Sequence, residues 1–142
     1  LSAKFPQSIA EWDEAGAAYL PGHLGMRFEK VEPQEVVASF EVRRALEAWN
    51  GYLHAGSVVA LADTCCGYGT LRSLPAGATG FTTIELKSNF FGSSRQGVVV
   101  CIARALHQGR TTQVWDASVC RAGEEAPIAR FRNTQLILWP KP

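Results

Sequence analysis

Asn50-Gly51-Tyr52-Leu53-His54-Ala55-Gly56-Ser57-Val58-Val59-Ala60-Leu61-Ala62-Asp63-Thr64-Cys65-Cys66 is the stretch on which the reading of this chain turns. From Ala55 to Leu71, one side chain other than a thiol or phenol can ionise near neutrality, and it is Asp63. Its neighbours are small or apolar. Val58, Leu61 or Ala62, Cys65 and Gly69 recur at spacings of three and four, which is the stripe of a helix lying on a core. The helix is expected from Gly56 to Ser73, stopping before Pro75, Gly77 and Gly80. A carboxylate on so apolar a helix loses hydration, which is costly unless it is paired, hydrogen-bonded or protonated. Asp63 therefore reads as a catalytic acid, base or nucleophile in a pocket. The plainer alternative is a local cap, or a side chain reaching solvent past small neighbours.

Upstream, Ile9, Trp12, Ala15 or Gly16, and Tyr19 repeat at helical spacing between Ser8 and Leu20. Ser8 with Glu11 three residues on forms a capping box, and Pro21-Gly22 is expected to end the helix. A strand is expected from Gly25 to Glu32 and another from Glu35 to Val42, joined at the Glu32-Pro33-Gln34 turn. Residues 43 to 55 follow neither period and read as a loop. Beyond the long helix come four strand-like runs: Phe81–Phe91, Val98–His107, Thr111–Arg121 and Ala126–Trp139. Gln108-Gly109-Arg110 and Ala122-Gly123-Glu124 separate the last three as hairpin connections. This order predicts an α+β fold, a curved antiparallel sheet wrapped around one apolar helix. Its outer face and edges would still need cover, which favours an oligomer.

A length of 142 residues predicts a single domain, with residues 1–22 as an N-terminal helix and its lead-in. The net charge of +1 argues against a partner such as duplex nucleic acid, which selects a clustered basic face. No apolar run approaches the length of about 20 residues that spans a bilayer, and Leu1 to Pro6 show no secretory pattern. Cys65, Cys66, Cys101 and Cys120 lack metal-ligand spacing, and His23, His54 and His107 are scattered. Free thiols in a reducing cytoplasm and no metal site are the expectation.

Asn50-Gly51-Tyr52-Leu53-His54-Ala55-Gly56 followed by Ala62-Asp63-Thr64 resembles the hotdog-fold acyl-CoA thioesterases of the phenylacetate-pathway and 4-hydroxybenzoyl-CoA type. The likeness continues through Thr82-Thr83-Ile84-Glu85-Leu86-Lys87-Ser88-Asn89-Phe90-Phe91 and His107-Gln108-Gly109-Arg110-Thr111, covering roughly Arg27 to Leu138. The combination is specific, although each piece alone is weak. The resemblance implies hydrolysis of an acyl-CoA thioester, with CoA as part of the substrate and no separate cofactor. It also implies a homodimer or homotetramer whose active sites lie at subunit interfaces.

The chemistry explains the residue types. Attack on a thioester carbonyl builds negative charge on oxygen, and unpaired N–H groups at a helix start are fixed donors for it. Ala55 stands where relatives commonly carry the glycine that gives this amide; the donor survives the change. Asp63 matches the family's essential carboxylate, as nucleophile or as general base for water. Asn50 and His54 match positions bordering the thioester. Their alternatives are a turn residue and a helix-entrance cap. Thr83 lies where relatives place a hydroxyl that orients water. By simple alternation it shares a face with Glu85, while Thr82 shares one with Ile84 and Leu86. Gly67 replaces the threonine some relatives carry one turn after the carboxylate. Ser94-Arg95 and Gly109-Arg110-Thr111 correspond to segments lining the CoA channel, where phosphates want cations, hydroxyls and loop amides. Trp49, Tyr52, Phe81, Phe90 and Phe91 are candidate walls for the acyl group.

Two other functions compete. Acyl-thioester hydration or dehydration in this fold uses an Asp-x-Asn-Pro-x-His type of segment, which this chain lacks. A non-catalytic acyl-CoA binding module would keep Asp63 only as a satisfied buried group.

Overall fold

Apolar residues at every third or fourth position wind the central stretch into one 18-residue helix, α3 (Ala55–Arg72), in the computed structural model, which describes residues 5–142. Residues 1–4 of the expected lead-in lie outside the described residues. Ahead of α3 come α1 (Ile9–Gly16), α2 (Leu20–Leu24), β1 (Arg27–Val31), β2 (Glu35–Glu41) and a 3-10 turn (Arg44–Leu46). After it come β3 (Gly80–Phe90), β4 (Val98–Gln108), β5 (Thr112–Arg121) and β6 (Pro127–Leu138). The strands form one antiparallel sheet in the order β1-β2-β4-β5-β6-β3, and α3 packs against all six. This is the hotdog arrangement.

The predicted stripe is the buried one. Val58, Leu61, Ala62, Cys65, Cys66 and Gly69 all face the core. Burying a residue such as Leu61 contributes roughly 1.5–3 kcal/mol. Gly69 lets the helix approach the sheet closely, because a Cβ there would sit 2.3 Å from the Trp115 ring. β2 buries Val36, Ala38 and Phe40 on one face, as its alternation requires.

Two departures from expectation have local causes. The helix expected over 8–20 ends at Gly16, and Pro21 lies in the first turn of α2 instead of closing α1. Proline is as suited to starting a helix as to ending one, since the first-turn amides have no partner to lose. The second departure is a β-bulge between Thr83 and Glu85. Thr83 pairs with Gln135 and Leu86 with Asn133, both inward residues of β6, so Thr83 and Leu86 share the helix-facing side. The extra residue cancels the alternation that would have grouped Thr83 with Glu85.

The two sheet edges differ. β1 is five residues long and is shielded by α1, where Asp13 Oδ1 accepts from the Phe28 amide at 3.1 Å. Trp12 and Phe28 close that side around Tyr68, at ring-centroid distances of 4.7 and 4.9 Å. β3 is eleven residues long, pairs among the described residues only with β6, and exposes Ile84 at 56% and Leu86 at 46%. Among the described residues, no helix is long and apolar enough to cross a membrane.

Candidate active site

The start of α3 is held by its own entrance residue. His54 is extended (φ −65°, ψ 136°), and its Nδ1 accepts from the Gly56 amide at 2.8 Å. Its carbonyl accepts from the amides of Ser57 at 2.9 Å and Val58 at 3.3 Å. Among the described residues, that leaves the exposed amide of Ala55 without a partner at the positive end of the helix. Since Nδ1 gives its lone pair to Gly56, neutral His54 carries its proton on Nε2 and presents a donor there. The tip is anchored from behind, where the Leu46 carbonyl accepts from the His54 amide at 3.0 Å and from Ser57 Oγ at 2.9 Å.

Asn50 is engaged within the loop ahead of this tip. Its Oδ1 accepts from the Tyr52 amide at 3.2 Å, while Gly51 takes the left-handed φ of 82° that the turn demands. Asn50 thus makes a turn contact through Oδ1, and His54 caps the helix through Nδ1.

Asp63 lies eight residues into α3, about 12 Å along the axis from Ala55 and about 80° around it. It is half-buried, and its Oδ1 accepts from Asn133 Nδ2 at 3.1 Å. Thr83, on the same inner side of the sheet, donates from Oγ1 to Gln135 Oε1 at 2.7 Å. Gly67, one turn past Asp63, faces Phe81, and a Cβ at Gly67 would come within 3.1 Å of Phe81 Cζ. A threonine there would therefore crowd this ring. Burial pushes the thiols of Cys65 and Cys66 well up, with Cys101 adding to both, so these neighbours of Asp63 stay protonated near neutrality.

Asn133 and Gln135 were not singled out from sequence, yet a signal exists. Phe131, Asn133, Gln135 and Ile137 share one parity of β6, so two amides occupy a face whose other members are apolar. A polar pair on a core face is the pattern that calls for a partner.

The residues expected along a CoA channel fall into two groups. Ser94 is 4% exposed; its Oγ donates to the Gln96 carbonyl at 2.8 Å, and its own carbonyl accepts from the Leu53 amide at 2.8 Å. Arg95 stands beside it at the surface, its guanidinium 4.3 Å over the Tyr52 ring, next to the loop that leads into α3. Gly109, Arg110 and Thr111 form the turn at the other end of β4, roughly 35 Å away along that strand. There Arg110 lies 4.3 Å over the Trp139 ring. The candidate acyl-wall aromatics are also dispersed. Trp49 is fully exposed in the loop, and Phe90 and Phe91 are exposed at the end of β3. A hollow of about 350 Å³ lined by Lys87, Asp116, Arg130 and Arg132 lies on the outer face of the sheet, away from α3 and Asp63.

A free helix-tip amide and a carboxylate on the same apolar helix are parts suited to attack on a polarised carbonyl. Comparison with known proteins gives the class of reaction. The thioesterase superfamily model matches residues 50–128. A 1,4-dihydroxy-2-naphthoyl-CoA hydrolase of Listeria monocytogenes is 31% identical over 96 residues, spanning 68% of this chain and 77% of that protein. A mutant of thioesterase PA1618 from Pseudomonas aeruginosa superposes with a TM-score of 0.86 at 27% identity, over 97% of this chain and 98% of that one. Thioesterase HI1161 from Haemophilus influenzae shares the fold, with a TM-score of 0.86 at 22% identity over 97% and 95% of the two chains. The protein is a hotdog-fold thioester hydrolase. It belongs to the thioesterase superfamily.

Proposed function

We propose that the chain hydrolyses acyl-CoA thioesters at sites made by two protomers, with the Ala55 amide of one and Asp63 of the other. The observation that carries this is the separation along α3. An oxyanion donor and a carboxylate acting on one carbonyl must lie within roughly 7 Å of each other, given hydrogen-bond and near-attack distances. Within one protomer they are about 12 Å apart along the axis and on different faces. A second copy is also what the open β3 edge lacks, and pairing β3 with its equivalent would cover Ile84 and Leu86 in a two-fold dimer. A tetramer would follow from pairing two such dimers.

In this reading the Ala55 amide receives the carbonyl oxygen, and His54 Nε2–H faces the thioester as a second donor. Asp63 then follows one of two balanced routes. As nucleophile it forms a mixed anhydride and releases CoA thiolate, and water afterwards cleaves the anhydride. As base it takes a proton from water while the oxygen of that water attacks the carbonyl carbon. Collapse of the resulting oxyanion then breaks the C–S bond, and the departing CoA sulfur takes up that proton. Thr83 suits the second route, because its hydroxyl proton is committed to Gln135 and its oxygen is left to accept from water. Arg95, preorganised on Tyr52 beside the helix tip, would meet a CoA phosphate. Arg110 could meet the same CoA only if it came from another protomer. The naphthoyl-CoA hydrolase among the relatives puts aryl thioesters first in a substrate panel. The four unpaired thiols fit a reducing cytoplasm.

Complementation tests the reading. Ala55→Pro and Asp63→Asn should each be nearly inactive as pure proteins, the second by about 10²–10⁴-fold in kcat. Refolded together at equal ratio, half the dimers are hybrids with one intact site of two, so about a quarter of wild-type activity should return. Activity that stays at the level of the separate variants would rule out the shared site.

A further inference from the structure

β6 presents two buried amides at successive inward positions, and each holds a polar group of the proposed site. Asn133 is 1% exposed and donates from Nδ2 to Asp63 Oδ1 at 3.1 Å. Gln135 is fully buried and accepts at Oε1 from Thr83 Oγ1 at 2.7 Å. Among the described residues, each leaves its other amide atom, Asn133 Oδ1 and Gln135 Nε2, enclosed without a partner. Gln113, directly across from Gln135 on β5, is the contrast. Its Oε1 accepts from Ser73 Oγ at 3.1 Å and Trp115 Nε1 at 3.0 Å, and its Nε2 donates to the Ser73 carbonyl at 3.1 Å. Gln113 is satisfied at both ends and serves the packing of the helix end.

Asn133 is not explained that way. A buried acceptor with no partner destabilises a fold, and a leucine would fill the same volume without one. The orphaned oxygen is instead a consequence of what the other end holds. An ionised carboxylate only accepts, so the amide must turn its nitrogen to Asp63, and that turn aims Oδ1 away into the core.

We infer that Asn133 is a positioning residue for Asp63: its amide fixes one carboxylate oxygen, selecting a single side-chain rotamer and turning the other oxygen toward the thioester. The inference rests on the reading of Asp63 as the catalytic carboxylate. The bond is charge-assisted and comes from a strand, so it holds Asp63 against a rigid element independent of α3.

The test uses Asn133→Leu, Asp63→Asn and the double variant, each followed by steady-state thioester hydrolysis and thermal melting. Asn133→Leu should lower kcat about 10–100-fold, the scale of a small misplacement of a reacting group, with KM within twofold. Its Tm should stay level or rise, because the orphaned oxygen is gone. In the Asp63→Asn background the same change should cost less than a further twofold, since a residue acting through Asp63 has nothing left to position. If Asn133→Leu does not fold, Asn133→Ala replaces it and is judged by the same two-background comparison. An impaired Asp63→Asn beside an Asn133→Leu enzyme with wild-type kcat overturns this inference alone, as do equal losses in both backgrounds. Wild-type turnover in Asp63→Asn itself would overturn the reading of Asp63, and the role of Asn133 with it.

Discussion

The two ends of α3 are built to opposite rules. At the first, the chain leaves an amide unused, caps the next one with an imidazole, and keeps Ala55 and Gly56 exposed. At the last, Gly69 lies against Trp115, and Ser73 is tied to Gln113 through both its hydroxyl and its carbonyl. The closed end is tied down at Ser73 and packed at Gly69 to the point where a methyl group does not fit. The open end keeps a donor in reserve. Unsatisfied backbone at a helix start is ordinary only when water or a ligand can reach it, and Ala55 is an exposed residue.

If that contrast is right, changes at the two ends should separate activity from stability. The largest effect belongs to the open end. Ala55→Pro deletes one amide hydrogen yet suits the first position of a helix, and His54 already has the extended backbone that precedes a proline. It should cost about 10²–10³ in kcat, with Tm within about 2 °C of wild type by calorimetry. A large drop in Tm alongside the lost activity would show that this end, too, is mainly structural.

Gly69→Ala should do the reverse. Its new methyl must displace the Trp115 ring, an overpacking worth about 1–3 kcal/mol, so Tm should fall by roughly 3–10 °C. The kcat of the folded fraction should hold within about twofold. A proportionate loss of turnover would mean the two ends are coupled.

The smallest effect gives the comparison its floor. Glu35 on β2 accepts from Lys30 at 2.9 Å and from Arg104 at 2.6 Å, and these bonds, Lys30 first, hold its carboxyl below the usual range. A depressed pKa means the stabilisation is present above the unfolded value and is lost as pH falls through the folded one. Glu35→Gln should therefore lower Tm by about 2 °C or less at pH 7, with the gap closing on acidification and kcat unchanged. A gap that stays constant down to strongly acidic pH would mean the charge contributes nothing.

Much of this was legible in the residues. The α3 stripe, the β2 alternation and the capping box at Ser8 are local patterns, and each takes the form its spacing dictates. The exceptions are places where one residue type serves two local purposes. Pro21 fits either end of a helix, and the neighbouring fold decided that it starts one. The bulge at Thr83 cannot be read from alternation, because it is the interruption of alternation, and it appears only when β6 supplies the register. Asn133 drew no attention because nothing near it in sequence is unusual. Its importance lies seventy residues away, at Asp63.

Sequence by itself determined the six strands, the long apolar helix with its single carboxylate, and the likeness to thioesterases, since all three are written in short-range spacing. Tertiary structure alone decided which face Thr83 joins, what grips Asp63, and that Arg95 and Arg110 end up at opposite ends of β4. Those outcomes depend on distances between segments remote along the chain, and such distances are set by packing rather than by any local pattern.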